Sequence, residues 1–324
     1  MAKFRLIYDL DDHTSFAIPW VRPVIEQTFE LAQYQAGEKY NPRCDFALVT
    51  YASKLRNRWW VDLQQQGCGI VIDHLWDSDT VLTPQSRTGE IELYCPNWMW
   101  YLACIEFSFH GYESYRPQRR REKAFLLLMN HQRWHRSWLL HRLDQYLLHG
   151  LYSYNAENIK IPGDKPPQDN TPWQRYMNPD WYNSTPFSIV AESYMRDTYH
   201  SGNVGPEVSE KIFKPLAYFH PFVVAGSAGT LAYLRAQGFV TYDNCFDESY
   251  DSVRDDHIRL AMVGQQAADA IQRWVNDDLQ WAPDTEQRAQ HNHAHMFNKK
   301  LVLRRFHREI IDPVLEFCEC YTGA

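Results

Sequence analysis

The chain has 324 residues, 44% of them hydrophobic and 15% aromatic, with a formal net charge of −7. That length and apolar content suit two ordinary globular domains, and they exclude a disordered chain. The acidic balance excludes a global field that draws in nucleic acid, although basic clusters stand at 54–58, 116–123 and 299–308. Seven cysteines at irregular spacing argue against a disulfide framework, and no C-x-x-C or Cys/His zinc spacing occurs. The N-terminus lacks the apolar core of a signal peptide, and no apolar run approaches a membrane span. The expected product is a soluble, cytoplasmic protein.

Residues 4–8 and 46–51 read as strands, and 25–34 as a short helix. The pairs Trp59/Trp60 and Trp98/Trp100 suit core or domain packing better than stacking on a sugar or base. Residues 69–73 (GIVID) form a buried strand that ends in Asp73. The segment after it carries His74, Asp77 and Asp79. Reactive groups of open α/β sheets sit beyond the carboxyl ends of strands, so Asp73, Asp77 or His74 can act as a general base. The alternative is a polar loop that caps the next element through Asp77 or Ser78. Asp77-x-Asp79 also has the short D-x-D form that can hold a divalent ion, but that form is common by chance.

A polar, basic stretch at 112–121 with Pro117 is the best linker, which divides the chain into domains at 1–115 and 116–284. An apolar strand at 124–129 leads into a turn that contains Asn130, Arg133 and Arg136. Guanidinium groups near a helix start suit a diphosphate; the alternative is a solvated basic helix start. Apolar residues then recur at helical spacing up to Gly150. Residues 156–186, rich in Pro, Asn and Asp, read as a long loop, a lid over a cleft.

Residues 187–230 carry the densest signal: strand, loop, amphipathic helix, strand, Gly-rich turn. Glu210 and Lys211 stand side by side at the start of that helix. Unpaired N–H groups and a partial positive charge gather there, so a lysine can reach a diphosphate and a carboxylate can accept from a ribose diol. An exposed ion pair of little energetic weight is the alternative. Residues 231–237 read as a helix, 239–242 as a strand and 254–281 as a long helix. A basic helix over 285–324 is expected to cross back to the first domain. His291, His293 and His295 alternate, which does not fit one helix face, so no metal site is expected there.

The pattern F-x-x-x-x-E-S (Phe187, Glu192, Ser193), a polar loop, then S-E-K-I-F-K-P-L (209–216) and a strand with a Gly turn resembles the donor-binding segment of alpha-1,3-fucosyltransferases. It is also similar to exostosin-like and bacteriophage-encoded glycosyltransferases. The local match covers roughly 45 residues, with a weaker extension over 123–256. The resemblance implies an α/β fold of two Rossmann-like domains facing a cleft, the GT-B type. It implies that Glu210 contacts the ribose, that Lys211 contacts the diphosphate, and that Glu192 lines the same cleft. The family has Asn where this chain has Ser193, so the donor stays open as a UDP- or GDP-sugar. The expected activity is an inverting, metal-independent glycosyltransferase, with DNA carrying a hydroxylated pyrimidine as the first choice of acceptor. A bacterial surface glycan is the second choice, and an inactive module that only binds nucleic acid or sugar is the alternative from another class.

Overall fold

In the computed structural model, the described residues are 4–9, 21–50, 59–73, 89–93, 95, 97–161, 178–195, 206 and 208–323. They form two units. One runs to Phe109 and resumes at Lys299; the other lies between, from His110 to Asn298. The sequence placed these boundaries at 115/116 and 284/285.

The first unit is built on strands β1 (Arg5–Tyr8), β2 (Glu30–Gln33), β3 (Asp45–Thr50), β4 (Gly69–Asp73) and β5 (Glu90–Leu93). They pair in parallel in the order β2-β1-β3-β4-β5. The runs Leu6–Ile7, Phe46–Val49 and Ile70–Ile72 are fully buried, as a parallel sheet covered on both faces requires. Helix α1 (Arg22–Ile25) is short, and α2 (Trp59–Gln65) supplies Trp59 and Leu63 to a cluster with Ile7, Ala47, Val49, Ile70 and Ile72. Helix α3 (Trp98–Phe109) buries Trp98 and Trp100, so these indoles belong to the core.

The second unit has strands β6 (Leu126–Met129), β7 (Leu151–Tyr154), β8 (Ser188–Ala191) and β9 (Phe222–Ala225). All are parallel, in the order β7-β6-β8-β9. Helix α4 (Trp134–Arg142) lies between β6 and β7, α5 (Pro179–Ser184) precedes β8, and α6 (Glu210–Ala217) joins β8 to β9. Then follow α7 (Thr230–Ala236), the long α8 (Asp256–Val275) and α9 (Thr285–Met296). The chain is thus α/β with two Rossmann-like parallel sheets.

Helices α10 (Lys299–Phe306) and α11 (Asp312–Thr322) complete the first unit. Phe306 meets Trp98 at 6.0 Å, and Phe317 meets Phe46 at 5.9 Å. Between them the turn His307–Ile311 widens to π geometry. Pro313, at the start of α11, has no N–H to return to the carbonyl four residues back, and a widened turn relieves that mismatch.

Three expected elements differ. Residues 25–34 are not one helix: α1 stops at Ile25, and Glu30–Gln33 is an edge strand paired with β1, because tertiary pairing outweighs local propensity. Residues 239–242 are not a strand. The Asn292 amide instead donates to the Val240 carbonyl (2.7 Å) and accepts from its N–H (2.8 Å), the bonds a neighbouring strand would supply. The C-terminal segment is not one helix but α9, α10 and α11, broken first where the chain passes from one unit to the other.

Candidate functional site

In the second sheet the connections diverge between β6 and β8, so the carboxyl ends of these two strands flank the topological switch point, where open α/β sheets bind ligands. Asn130 follows β6, and Glu192 follows β8. With the Glu210-Lys211 helix start that comes after β8, three sequence signals that lie far apart in the chain meet there.

Glu192 is fully buried. Its Oε1 accepts from the Ser209 N–H (3.3 Å), and its Oε2 accepts from the Ser193 N–H (3.3 Å) and the Ser209 hydroxyl. Burial pushes its pKa up, and the Lys211 charge and the Ser209 bonds only partly oppose that. Ser209 caps α6: its hydroxyl accepts from the Lys211 N–H at 3.4 Å. Serine at this position satisfies a helix-start donor and ties the helix to the strand end in one residue.

Lys211 and Glu210 occupy the first turn of α6 with side chains about one-fifth exposed. The Lys211 ammonium donates to Glu210 Oε1 (2.8 Å), Ser193 Oγ (3.0 Å) and Ser209 Oγ (3.3 Å). Burial would raise the Glu210 pKa, but Lys211 and Lys214 outweigh it and hold the carboxyl below its usual range. The buried face of α6, with Ile212, Phe213 and Leu216, fixes the helix against the unit's core, so its first turn is a rigid platform.

The turn after β6 separates its two arginines. Arg133 is half-buried, donates from Nε to the Ser193 carbonyl (3.3 Å), and has its guanidinium 4.7 Å from the centre of the Tyr194 ring. Arg136 is 1% exposed, and it donates to the carbonyls of His131 (2.9 Å), Ala191 (3.2 Å) and Glu192 (2.8 Å). It is a lock on the strand ends and does not present its charge to a ligand. His135 is also buried; its Nε2 donates to the Glu192 carbonyl at 3.0 Å, and burial holds its pKa down at about 4. Asn130 accepts from the Asn155 amide at 3.2 Å and shapes the turn.

Ser193 is the meeting point. Its hydroxyl accepts from Lys211 and its carbonyl accepts from Arg133, so two cations from separate elements lie within reach of one residue. The Gly-rich turn after β9 is arranged differently. Asp251 accepts from the N–H groups of Leu231 and Ala232 at 2.8 and 2.9 Å, so the start of α7 is already capped by protein.

In the first unit, Asp73 ends β4; its side chain, and His74, Asp77 and Asp79, lie outside the described residues. The basic run 54–58 does so as well, as do most residues of the expected lid at 156–186. His291, His293 and His295 sit on α9, and each ring bonds a main-chain carbonyl, of Gly238, Ala217 and Gln237 respectively. Among the described residues no group of His, Cys, Asp or Glu is arranged to hold a metal ion.

A constellation that sequence reasoning missed surrounds Glu309, in the widened turn before α11. Its Oε2 accepts from Tyr101 Oη (2.5 Å), Asn97 Nδ2 (3.0 Å) and Cys95 Sγ (3.6 Å). Its partners lie about two hundred positions away, and no local motif announces them.

No family model matches the chain, and no curated protein does. Among solved structures it is similar to a crystal structure of alpha1,3-fucosyltransferase at 9% identity and a TM-score of 0.43, covering 93% of this chain and 92% of that one. It is also similar to an alpha1,3-fucosyltransferase with GDP-fucose at 8% identity and a TM-score of 0.40, covering 93% and 90%.

Proposed function

We propose that the chain is a glycosyltransferase that takes a sugar from a nucleoside-diphosphate donor, a UDP- or GDP-sugar, held by its second unit. The observation that carries this reading is the convergence of Lys211 and Arg133 on Ser193 at the switch point of the second sheet. Two fixed cations and the start of α6 make a site for a diphosphate, which is both the anchor of the donor and the leaving group. Phosphate oxygens replace the serine oxygens as acceptors for Lys211 Nζ. Glu210, on the same turn and about one-fifth exposed, accepts from the ribose diol. Glu192 is fully buried, so its part is to position Ser193 and Ser209, not to touch the sugar. Arg136 and Asn130 hold the turn.

The base that deprotonates the acceptor comes from the first unit, at Asp73, His74 or Asp77. The transfer is inverting and needs no metal, because the cations already neutralise the departing diphosphate. A hydroxylated pyrimidine in phage DNA is the first acceptor to test. Its support lies in the basic segments 54–58 and 116–123. In the latter, Arg119, Arg120 and Lys123 already bond Phe219, Asp180 and Leu148 within the protein. A bacterial surface glycan is the second acceptor.

Calorimetry with GDP and UDP tests the donor site. Lys211→Ala should weaken binding by roughly 10- to 100-fold, the loss of one or two charge-assisted bonds. Wild-type affinity in that variant rejects the assignment. Binding without hydrolysis of any sugar nucleotide favours an inactive module. Transfer that stops in excess chelator and returns with magnesium or manganese would move the diphosphate onto a metal.

A further inference from the structure

A cavity of about 600 Å³ lies entirely within the second unit, between residues 113–119 and helix α9. It shares no residue with the cluster around Ser193 and abuts the opposite end of α6, just past Ala217. Its size is that of a preformed small-molecule site.

One wall is built around an unusual backbone. Phe219 has φ 58°, the left-handed region that a bulky side chain rarely adopts. Such a residue persists only where its surroundings fix it, and such positions gather at ligand clamps. Here the ring stacks on His293 (4.1 Å between centroids, 18° between planes), and the carbonyl accepts from Arg119 Nη2 at 3.0 Å. His293 is itself pinned between the carbonyls of Ala217 (2.8 Å) and Glu113 (3.1 Å). The wall is therefore preorganised, with its ring planes and one guanidinium in set positions.

The lining chemistry selects among ligands. Two guanidinium groups, Arg116 and Arg119, are matched in number by two carboxylates, Glu113 and Glu286, so the lining has no net charge to hold a phosphate or a cation. Guanidinium, carboxylate and the Gln290 amide are planar groups that pair with adjacent hydroxyls, the first as donor, the second as acceptor, the third as both. Glu286 and Gln290 stand one helical turn apart on α9 and are joined at 3.4 Å. Phe297, half-buried and with its ring centre 4.9 Å from that of His293, adds an aromatic side chain to the lining, the kind of group on which the C–H side of a pyranose packs. A neutral polyol with one apolar face matches this lining; an anion does not.

We propose that this cavity is a binding site for a neutral oligosaccharide, separate from the cluster at Ser193. The inference does not rest on the donor reading. Saturation-transfer NMR with maltotriose, mannotriose and tri-N-acetylchitotriose tests it. Transfer to at least one trisaccharide is expected. The double variant Glu286→Ala/Gln290→Ala changes two exposed side chains and should weaken that binding at least tenfold, whereas Lys211→Ala should leave it intact. Three results overturn the proposal: no transfer to any of the three, transfer unchanged in the double variant, or transfer lost in Lys211→Ala, which would move the saccharide to the other end of α6.

Discussion

Two glutamates, Glu192 in the second unit and Glu309 in the first, each gather at least three hydrogen-bond donors, yet their environments drive them in opposite directions. Glu192 is fully dry, and burial raises its pKa despite its donors. For Glu309, about one-fifth exposed, burial works the same way, but the bonds from Tyr101, Asn97 and Arg308 win, so its pKa is lowered. Both carboxylates gather donors, and what separates them is the balance: complete burial outweighs the bonds at Glu192, whereas the bonds outweigh a weaker burial at Glu309. The two also differ in what they organise. Glu192 ties a strand end to the start of α6, beside Lys211, which fits a platform for a ligand. Glu309 ties helix α3 to the turn between α10 and α11, which fits a clamp inside one unit.

The largest expected effect breaks the dry side of this comparison. Arg136→Ala removes a buried guanidinium and its bonds to three carbonyls, two of them at the end of β8, of which only that of Glu192 keeps a bond from His135. It should destabilise the protein by about 3 kcal/mol or more in chemical denaturation. A cost under about 1 kcal/mol would mean that water takes over those carbonyls and that the strand ends are not dry.

An acid titration sharpens the same point. His135 has its pKa held down at about 4 from 6.5, so the folded state binds fewer protons than the unfolded chain. Its contribution is complete above pH 6.5 and is lost as the pH falls from there towards 4, by up to about 3 kcal/mol. Glu192 has the opposite sign. Its raised pKa gives stability at low pH that declines as the pH climbs above the ordinary value of 4.5. Denaturation from pH 7 to 4 should therefore cost His135→Gln less stability than it costs wild type. Glu192→Gln should remove the opposing decline, so its stability falls more steeply on acidification than that of wild type. Parallel curves for all three would rule out dryness as the cause.

The smallest effect lies on the clamp side. Glu309→Gln keeps the shape and loses the charge, and it should cost roughly 1–2 kcal/mol. It should leave GDP and UDP binding unchanged. A loss of nucleotide affinity in this variant would erase the functional distinction between the two glutamates.

Much of the second unit was legible because its signals are local. The apolar runs at β6, β8 and β9 and the Ser209-Glu210-Lys211 start of α6 each declare themselves within a few residues. Arg133 and Arg136 were legible as a pair but not as opposites. Spacing puts both near the start of α4, and only the packed sheet decides which guanidinium is buried. Asn292 standing in for a strand, and Glu309 meeting Tyr101, are contacts between distant positions that no periodicity encodes. Helix α3 is apolar nearly all round, as a buried helix is, so it carries no face pattern to read. Strand β2 has a single buried residue, Leu31, too little for alternation to show.

The interruption of the first unit by residues 110–298 has a consequence for synthesis. The sheet face that carries Phe46 is finished early on the ribosome, but Phe317, which covers it, is made only after the whole second unit. At ordinary elongation rates that delay is roughly ten to forty seconds. The second unit draws on no residue outside 110–298 and can close during this time. The first cannot, and its uncovered apolar face is what a chaperone would hold on the nascent chain.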